Sequence, residues 1–290
     1  MEDIELRTVC RKKRWLTGKR IIKIIFISVI LLAVYVLIIE PRWIAVTHYD
    51  VYLSGLPPDL DGTKIVQLSD LHRGNKVPDS IIKRAVRLAN AENPDVVVLT
   101  GDFINTSAAN AEPCARMLSL LNARRGKFAV LGNHDHWYGA RKVTDDLEAH
   151  GIQVLTNRNH LVAPWLYIIG IDDYWAGHPN IKRAWSGVDE NVGQVLLSHT
   201  PRAAPLFVNK RCLALTGHTH GGQFIIPFIR RNRLPGLRGS PYISGWYQNG
   251  KSSMYVNRGI GMAMVPIRFL CRPEITVFTL KSNAGAANTP

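Results

Sequence analysis

The chain has 290 residues, 46% of them hydrophobic and 20% charged, which is material for one large or two ordinary packed domains and excludes a wholly disordered chain. Its formal net charge of +14 favours anionic partners: phosphorylated small molecules, anionic lipid headgroups or nucleic acid. Four scattered cysteines, Cys10, Cys114, Cys212 and Cys271, lack C-x-x-C spacing and argue against a zinc ribbon or a dense disulfide framework.

The chain opens on a basic segment, residues 1–20. Through Lys23 it carries Arg7, Arg11, Lys12, Lys13, Arg14, Lys19, Arg20 and Lys23 against only Glu2, Asp3 and Glu5. Residues 21–39 then read "IIKIIFISVILLAVYVLII". The unbroken part from Ile24 to Ile39 is about 24 Å long as a helix, and Lys23 can snorkel to make up the rest of a hydrocarbon core of about 30 Å. No polar face interrupts the run, as a soluble core helix would require. No small-x-small cleavage site precedes Glu40 and Pro41, as a signal peptide would require. The segment reads as a transmembrane anchor. Basic charge before it and the lone Arg42 after it predict a single-pass protein of the cell membrane. Its N-terminus is then cytoplasmic, and its globular domain, residues 42–280, lies on the non-cytoplasmic side.

Past Pro41, "RWIAVTHYDVYLSG" alternates as a strand does, and Pro57, Pro58 and Gly62 mark a turn. Five apolar runs follow that each stop at a polar residue: "KIVQLSDLH", "DVVVLTGD", "KFAVLGNHD", "QVLLSHTP" and "CLALTGHTH". Between the first two, Ile81, Ile82, Ala85, Val86, Leu88 and Ala89 fall on one helical stripe behind Pro78, with Asp79 or Ser80 as cap. Strand, helix, strand in that order predicts an α/β fold with a largely parallel sheet. The runs "WLYIIGIDD", "SSMYVNRG" and "EITVFTL" supply strands for a second sheet. Residues 281–290 are small and polar and are expected to be a flexible tail.

In open α/β sheets the ligand site lies beyond the carboxyl ends of the strands. The five endings therefore gather Asp70, His72, Asp102, Asn133, His134, His199, His218 and His220. Mixed carboxylate and imidazole donors suit Mn, Fe or Zn better than Mg or Ca. There are too many for one ion, and a carboxylate can bridge two, as in the clamps that hydrolyse phosphorus esters. Gly101, Gly132, Gly217, Gly221 and Gly222 beside these residues are expected to allow sharp turns and close approach of an anion.

The order D-x-H, G-D, G-N-H-D, H, G-H-x-H resembles the signature of the calcineurin-like metallophosphoesterases, over Asp70 to His220. The resemblance implies a four-layer αββα sandwich behind the N-terminal transmembrane helix and two divalent metal ions, Mn²⁺ before Fe or Zn. By position it implies that Asp70, His72 and His220 hold one ion, that Asn133, His199 and His218 hold the other, and that Asp102 bridges. His134 matches the catalytic histidine of that family, and Asp135 is expected to orient its imidazole. With "GIDDYW" and "GHTHGGQ" added, the chain is similar to the membrane-associated YaeI and YkuE type of phosphodiesterase and to UDP-2,3-diacylglucosamine pyrophosphatases. Asn105 stands where relatives of this type often carry Asp.

These resemblances imply hydrolysis of a phosphodiester or pyrophosphate bond, with a lipid-linked phosphoester such as UDP-2,3-diacylglucosamine of lipid A synthesis as substrate. No obligate protein or nucleic-acid partner is expected. A nucleotide-linked lipid precursor is expected on the cytoplasmic side, which conflicts with the side that the charge bias predicts. A metal-dependent nuclease, marked by salt-dependent binding, or a general phosphodiesterase is the alternative enzyme. A non-catalytic metal-binding scaffold fits less well, because no ligand is eroded. Arg230, Arg231 and Arg233 lie in a basic stretch that is either a solvated loop or a lip that binds a lipid-linked substrate. Asp172 and Asp173 read as turn formers or substrate contacts. Trp137, Tyr138, Trp175 and Trp185 read as core packing or as a stacking surface.

Overall fold

The computed structural model describes residues 18–227, 241–263 and 265–282. The basic residues 1–17, the stretch holding Arg230, Arg231 and Arg233, and residues 283–290 of the expected tail lie outside them. Helix α1 (Gly18–Val34) runs on through a wide turn over Tyr35–Ile39 and a tight one over Glu40–Arg42. The result is one helix of 25 residues with no side chain of α1 buried, long and apolar enough to cross a membrane.

The elements that follow are β1 (Ala45–Tyr52), β2 (Lys64–Leu68), α2 (Asp79–Ala91), β3 (Val96–Thr100), α3 (Ala111–Ser119), β4 (Lys127–Val130), α4 (Asn133–Ala149), β5 (Gln153–Val154), β6 (Arg158–Ala163) and β7 (Leu166–Gly170). After them come α5 (Ile181–Ala184), β8 (Gly193–Leu197), α6 (Ala204–Phe207), β9 (Leu213–Thr216), β10 (Gly245–Asn249), β11 (Ser252–Val256) and β12 (Glu274–Lys281). One sheet has the order β1-β12-β2-β3-β4-β5 and the other β10-β11-β9-β8-β7-β6. The pairs β2–β3, β3–β4, β7–β8 and β8–β9 are parallel.

Period-two alternation sorts each strand between layers. Val66, Leu68, Val97 and Leu99 face α2, α3 and α4, while Ile65, Val96, Val98 and Phe128 face the second sheet. From that sheet Val195, Leu197, Leu213 and Leu215 meet them, and Leu196 and Ala214 turn outward to Ala184, Ala204 and Phe207 on α5 and α6. Helices, sheet, sheet, helices: the αββα sandwich is the observed architecture, and burial on both faces explains the continuous apolar runs. Each Val or Leu sealed in this way contributes about 1.5–3 kcal/mol. Gln67, buried between the sheets, donates to Thr100 Oγ1 and to Thr216 O at 3.0 Å each, and so ties β2 and β3 to β9.

Two expectations change. The C-terminal strand β12 belongs to the first sheet, parallel to β1 and antiparallel to β2, because Ile275 and Val277 pack toward the helices and Phe278 and Leu280 toward the other sheet. Helix α2 buries the expected stripe, but neither Asp79 nor Ser80 is its cap. Pro78 holds that position and the Asp79 carboxylate is engaged by Arg73 at 3.0 Å.

Candidate metal centre

The parallel strands β2, β3, β4, β8 and β9 all run toward the same edge, and the chain must turn sharply as it leaves each of them. Asp70, His72, Asp102, His218 and His220 do so in the left-handed region, with φ between 47° and 69°. Non-glycine residues rarely adopt that conformation, and its concentration at one place is a mark of a functional site. Asp70, His72, Asp102, Asn133, His199 and His220 are all buried.

Two clusters result. His72 Nε2 lies 3.0 Å from His220 Nε2 and 3.3 Å from Asp102 Oδ2, and His220 Nε2 lies 3.5 Å from Asp70 Oδ1. On the other side His199 Nε2 lies 3.1 Å from Asn133 Oδ1, 3.1 Å from His218 Nδ1 and 3.3 Å from Asp102 Oδ2. Asp70, His72 and His220 each offer one ligand atom within 4.8 Å of the others, as do Asp102, His199 and His218. The first sheet thus supplies Asp70, His72, Asp102 and Asn133, the second supplies His199, His218 and His220, and Asp102 Oδ2 touches both clusters.

The donor set fits divalent cations. Burial pushes His72 and His218 down to about 3, and pushes His220 well below its usual value, so these imidazoles are neutral. The two facing Nε2 atoms of His72 and His220 cannot both donate, and the buried Nδ1 atoms of both rings have no partner. Adjacent ligands about 2.1 Å from one ion are themselves about 3.0–3.4 Å apart, so a cation resolves the Nε2 contact that hydrogen bonding leaves incomplete. Burial also opposes charge on His199, but the Asp102 carboxylate outweighs it and raises His199 well above the usual value. In return His199 and His72 hold Asp102 below the usual carboxylate range despite its burial. Burial pushes Asp70 up to about 6. A divalent cation supplies the positive charge that these buried carboxylates otherwise draw from His199.

Helix α4 begins at this edge. The His134 backbone N–H donates to Asp102 Oδ1 at 2.9 Å and its ring Nδ1 meets Asn105 O at 2.7 Å. A carbonyl only accepts, so Nδ1 carries the proton and Nε2 is the ring atom left to exchange one. Asp135 does not orient that ring, contrary to expectation. Its carboxylate accepts from the backbone N–H groups of Asp102 (2.8 Å), Phe103 (2.9 Å), Ile104 (3.2 Å) and Gly132 (2.9 Å), because a third-position side chain of a helix reaches back over its own N-terminus. Asp135 therefore fixes the loop that presents Asp102, and the side chain at position 105 matters less to His134 than the carbonyl there.

Gly101, Gly221 and Gly222 make the expected sharp turns, with φ of 87°, 61° and 88°, but Gly132 and Gly217 serve differently. A Cβ on Gly132 would lie 2.2 Å from Asp102 Oδ1, and one on Gly217 would lie 1.9 Å from Ser69 Oγ and 2.4 Å from Asp70 Oδ2. Their bareness lets the ligand loops approach one another, rather than a ligand. Residues around the centre that the motif did not include are His136, whose Nε2 meets Asp172 Oδ1 at 2.9 Å, and Trp175, half-exposed and edge-on to His218 with ring centroids 4.6 Å apart. The Arg202 guanidinium lies 5.3 Å over the same indole. Asp173 accepts from Trp175 N and Ala176 N and is a turn former, and Trp185 is core.

The model of the calcineurin-like phosphoesterase family matches residues 63–222, more than half of the chain. The chain belongs to that family. As a calcineurin-like phosphoesterase it is a metal-dependent phosphoester hydrolase, and its His and Asp cluster fits a dinuclear centre. It is similar to the uncharacterised metallophosphoesterase YkuE of Bacillus subtilis (strain 168), 36% identical over 86% of this chain and 89% of the relative. It is 30% identical to the phosphodiesterase YaeI of Escherichia coli (strain K12), over 83% of this chain and 90% of the relative. With the UDP-2,3-diacylglucosamine pyrophosphatase LpxG of Chlamydia muridarum (strain MoPn / Nigg) it shares 27% identity, over 82% of this chain and 90% of the relative.

Proposed function

We propose that this phosphoesterase is anchored in a membrane by residues 21–39, carries its catalytic unit in residues 42–280, and hydrolyses the phosphodiester or pyrophosphate bond of a lipid-linked substrate. The observation that carries the catalytic part is Asp102 Oδ2, 3.3 Å from both His72 Nε2 and His199 Nε2, which makes it the bridge between the two ligand sets. Asp70, His72 and His220 would hold one ion, and Asn133, His199 and His218 the other, with Mn²⁺ preferred over Fe or Zn. Bound there, such ions supply Lewis acidity toward phosphoryl oxygens and water. His134, its Nδ1 engaged by Asn105 O, presents Nε2 to give a proton to the departing oxygen. Asp135 accepts from the backbone N–H groups of Asp102, Phe103, Ile104 and Gly132 and so holds the loop that presents Asp102 against the start of α4.

Three features support the lipid-linked reading: the exposed apolar helix, the pyrophosphatase among the relatives, and the charge of Arg230, Arg231 and Arg233. The charge bias favours a non-cytoplasmic catalytic domain, and UDP-2,3-diacylglucosamine turned over more slowly than the diester would point instead to a lipid or cell-envelope phosphoester of that side. The test is a Mn²⁺ assay of the full chain on UDP-2,3-diacylglucosamine, a nitrophenyl phosphodiester, a nitrophenyl monoester and single-stranded DNA. The diester should exceed the monoester and the lipid-linked pyrophosphate should exceed both. DNA as the fastest substrate would replace this reading with that of a nuclease.

A further inference from the structure

The exit of the apolar helix is built into the wall of the metal centre. The Arg268 backbone N–H donates to Val36 O at 3.1 Å, and the Phe269 ring meets the Tyr35 ring edge-on at 6.4 Å. The fully buried Glu40 carboxylate accepts from the backbone N–H groups of Leu270 and Cys271. Segment 268–271 therefore runs along the last turns of the helix from Glu40 back to Val36, four residues and about 6 Å toward its apolar middle. Next to it, Phe269 N donates to Gln223 O at 3.0 Å and Ile225 N to Phe269 O at 2.9 Å. Gln223 in turn engages Ala263 N and Val265 O. Buried Arg268 locks the joint by donating to the carbonyl oxygens of Arg258, Gly259, Gly261 and Cys271.

The residues that this joint leaves facing outward are apolar: Leu270 is 51% exposed, Val265 47% and Ile226 38%. Single exposed apolar residues are ordinary on a soluble surface. Three of them gathered around a segment that runs back along a membrane-length helix are not. Trp43 follows the helix directly, with the Arg272 guanidinium stacked 4.0 Å over its ring, and an indole with a cation is the composition of a membrane interface. Behind the rim, Cys271 Sγ lies 3.2 Å from His220 O, so the rim is one residue removed from the metal-site loop.

We propose that the rim of Ile226, Val265 and Leu270 sinks into the headgroup region of the bilayer that holds the helix, and so sets the His220 side of the metal centre against the membrane surface. The proposal rests on the anchoring proposed above and adds the depth and orientation of the catalytic domain. A helix inserted as far as Ile39 cannot leave segment 268–270 in bulk water, because its hydrogen bonds tie that segment to Val36 and Glu40.

The full chain with Cys10→Ser, reconstituted in phosphatidylcholine vesicles with about one third phosphatidylglycerol, carries one environment-sensitive fluorophore at Leu270→Cys, at Val265→Cys or, as a control at the opposite end of the strands, at Leu120→Cys. Lipids brominated near the headgroup should quench the labels at 270 and 265 several-fold more than the label at 120. Sedimentation with vesicles in high salt, measured on the same samples, reports anchoring separately. Salt-resistant sedimentation with equal quenching at all three positions overturns the rim and leaves the anchor standing. Release by salt overturns both. The two rim positions guard against a local fault at either one.

Discussion

At the amino ends of β2 and β3 the polar contacts are complete in themselves: Asp95 accepts from Lys64 N at 2.8 Å and from Arg124 Nε at 2.9 Å, beside an open groove of about 450 Å³ lined by Asn90, Asn93, Arg124 and Lys127. At the carboxyl ends of the same strands His72 and His220 turn nitrogens toward each other at 3.0 Å while their other ring nitrogens go unpaired. Both ends are polar. The difference is that one end satisfies its own donors and acceptors, while at the other two neutral imidazoles face each other through Nε2 atoms that a cation between them would satisfy. An incomplete hydrogen-bond account, joined to left-handed backbone at five ligand positions, separates a functional edge from a merely solvated one.

Four experiments probe that contrast. Asp102→Asn should have the largest effect, a loss of hydrolysis greater than that of any single change at Asp70, His72, His199, His218 or His220, because only Asp102 meets both clusters. His134→Ala follows, with about 10²-fold lower kcat on a soluble diester, since it removes proton transfer and leaves the cation ligands in place. The third lies at the same edge but in a pair that is complete. Burial opposes charge on both His136 and Asp172, yet their hydrogen bond raises the histidine and lowers the carboxyl. The raised histidine contributes stability that is lost as pH rises above about 6.5, and the lowered carboxyl contributes stability that is lost as pH falls below about 4. A double-mutant cycle with His136→Gln and Asp172→Asn, read from thermal melts, should give a coupling of about 1 kcal/mol at pH 5.5 and close to none at pH 9. A coupling that persists at pH 9 would show that the pair does not depend on a charged imidazole. The smallest effect belongs to the other end. Asp95→Asn should cost about 1 kcal/mol of stability or less and leave metal content and turnover unchanged.

How far the sequence could be read depended on whether a feature is local. The ligand residues were legible because strand ends are marked by apolar runs that stop, and parallel strands with a common direction bring those stops together. The α2 stripe was legible for the same reason. The position of β12 was not, since alternation tells which residues share a face and says nothing of which strand lies alongside. Helix α4 was missed as well: it starts on buried Asn133 and Asp135 and passes Gly139 at φ 144°, so no apolar stripe announces it. Asp135 was misread as the partner of His134 because adjacency in sequence suggested contact. At a helix start the two side chains diverge, one into the site and one back onto the preceding backbone. The junction of Glu40 with Leu270 and Cys271 spans 230 residues and has no local signal at all.

Metal analysis of the purified chain after Mn²⁺ loading and removal of free ions tests the central claim most directly, namely that seven side chains from two sheets hold a dinuclear centre around Asp102. Two ions per chain are expected in the wild type, two in His134→Ala, and fewer than two in Asp102→Asn. One ion per wild-type chain, or a His134→Ala variant that arrives without metal, would contradict it.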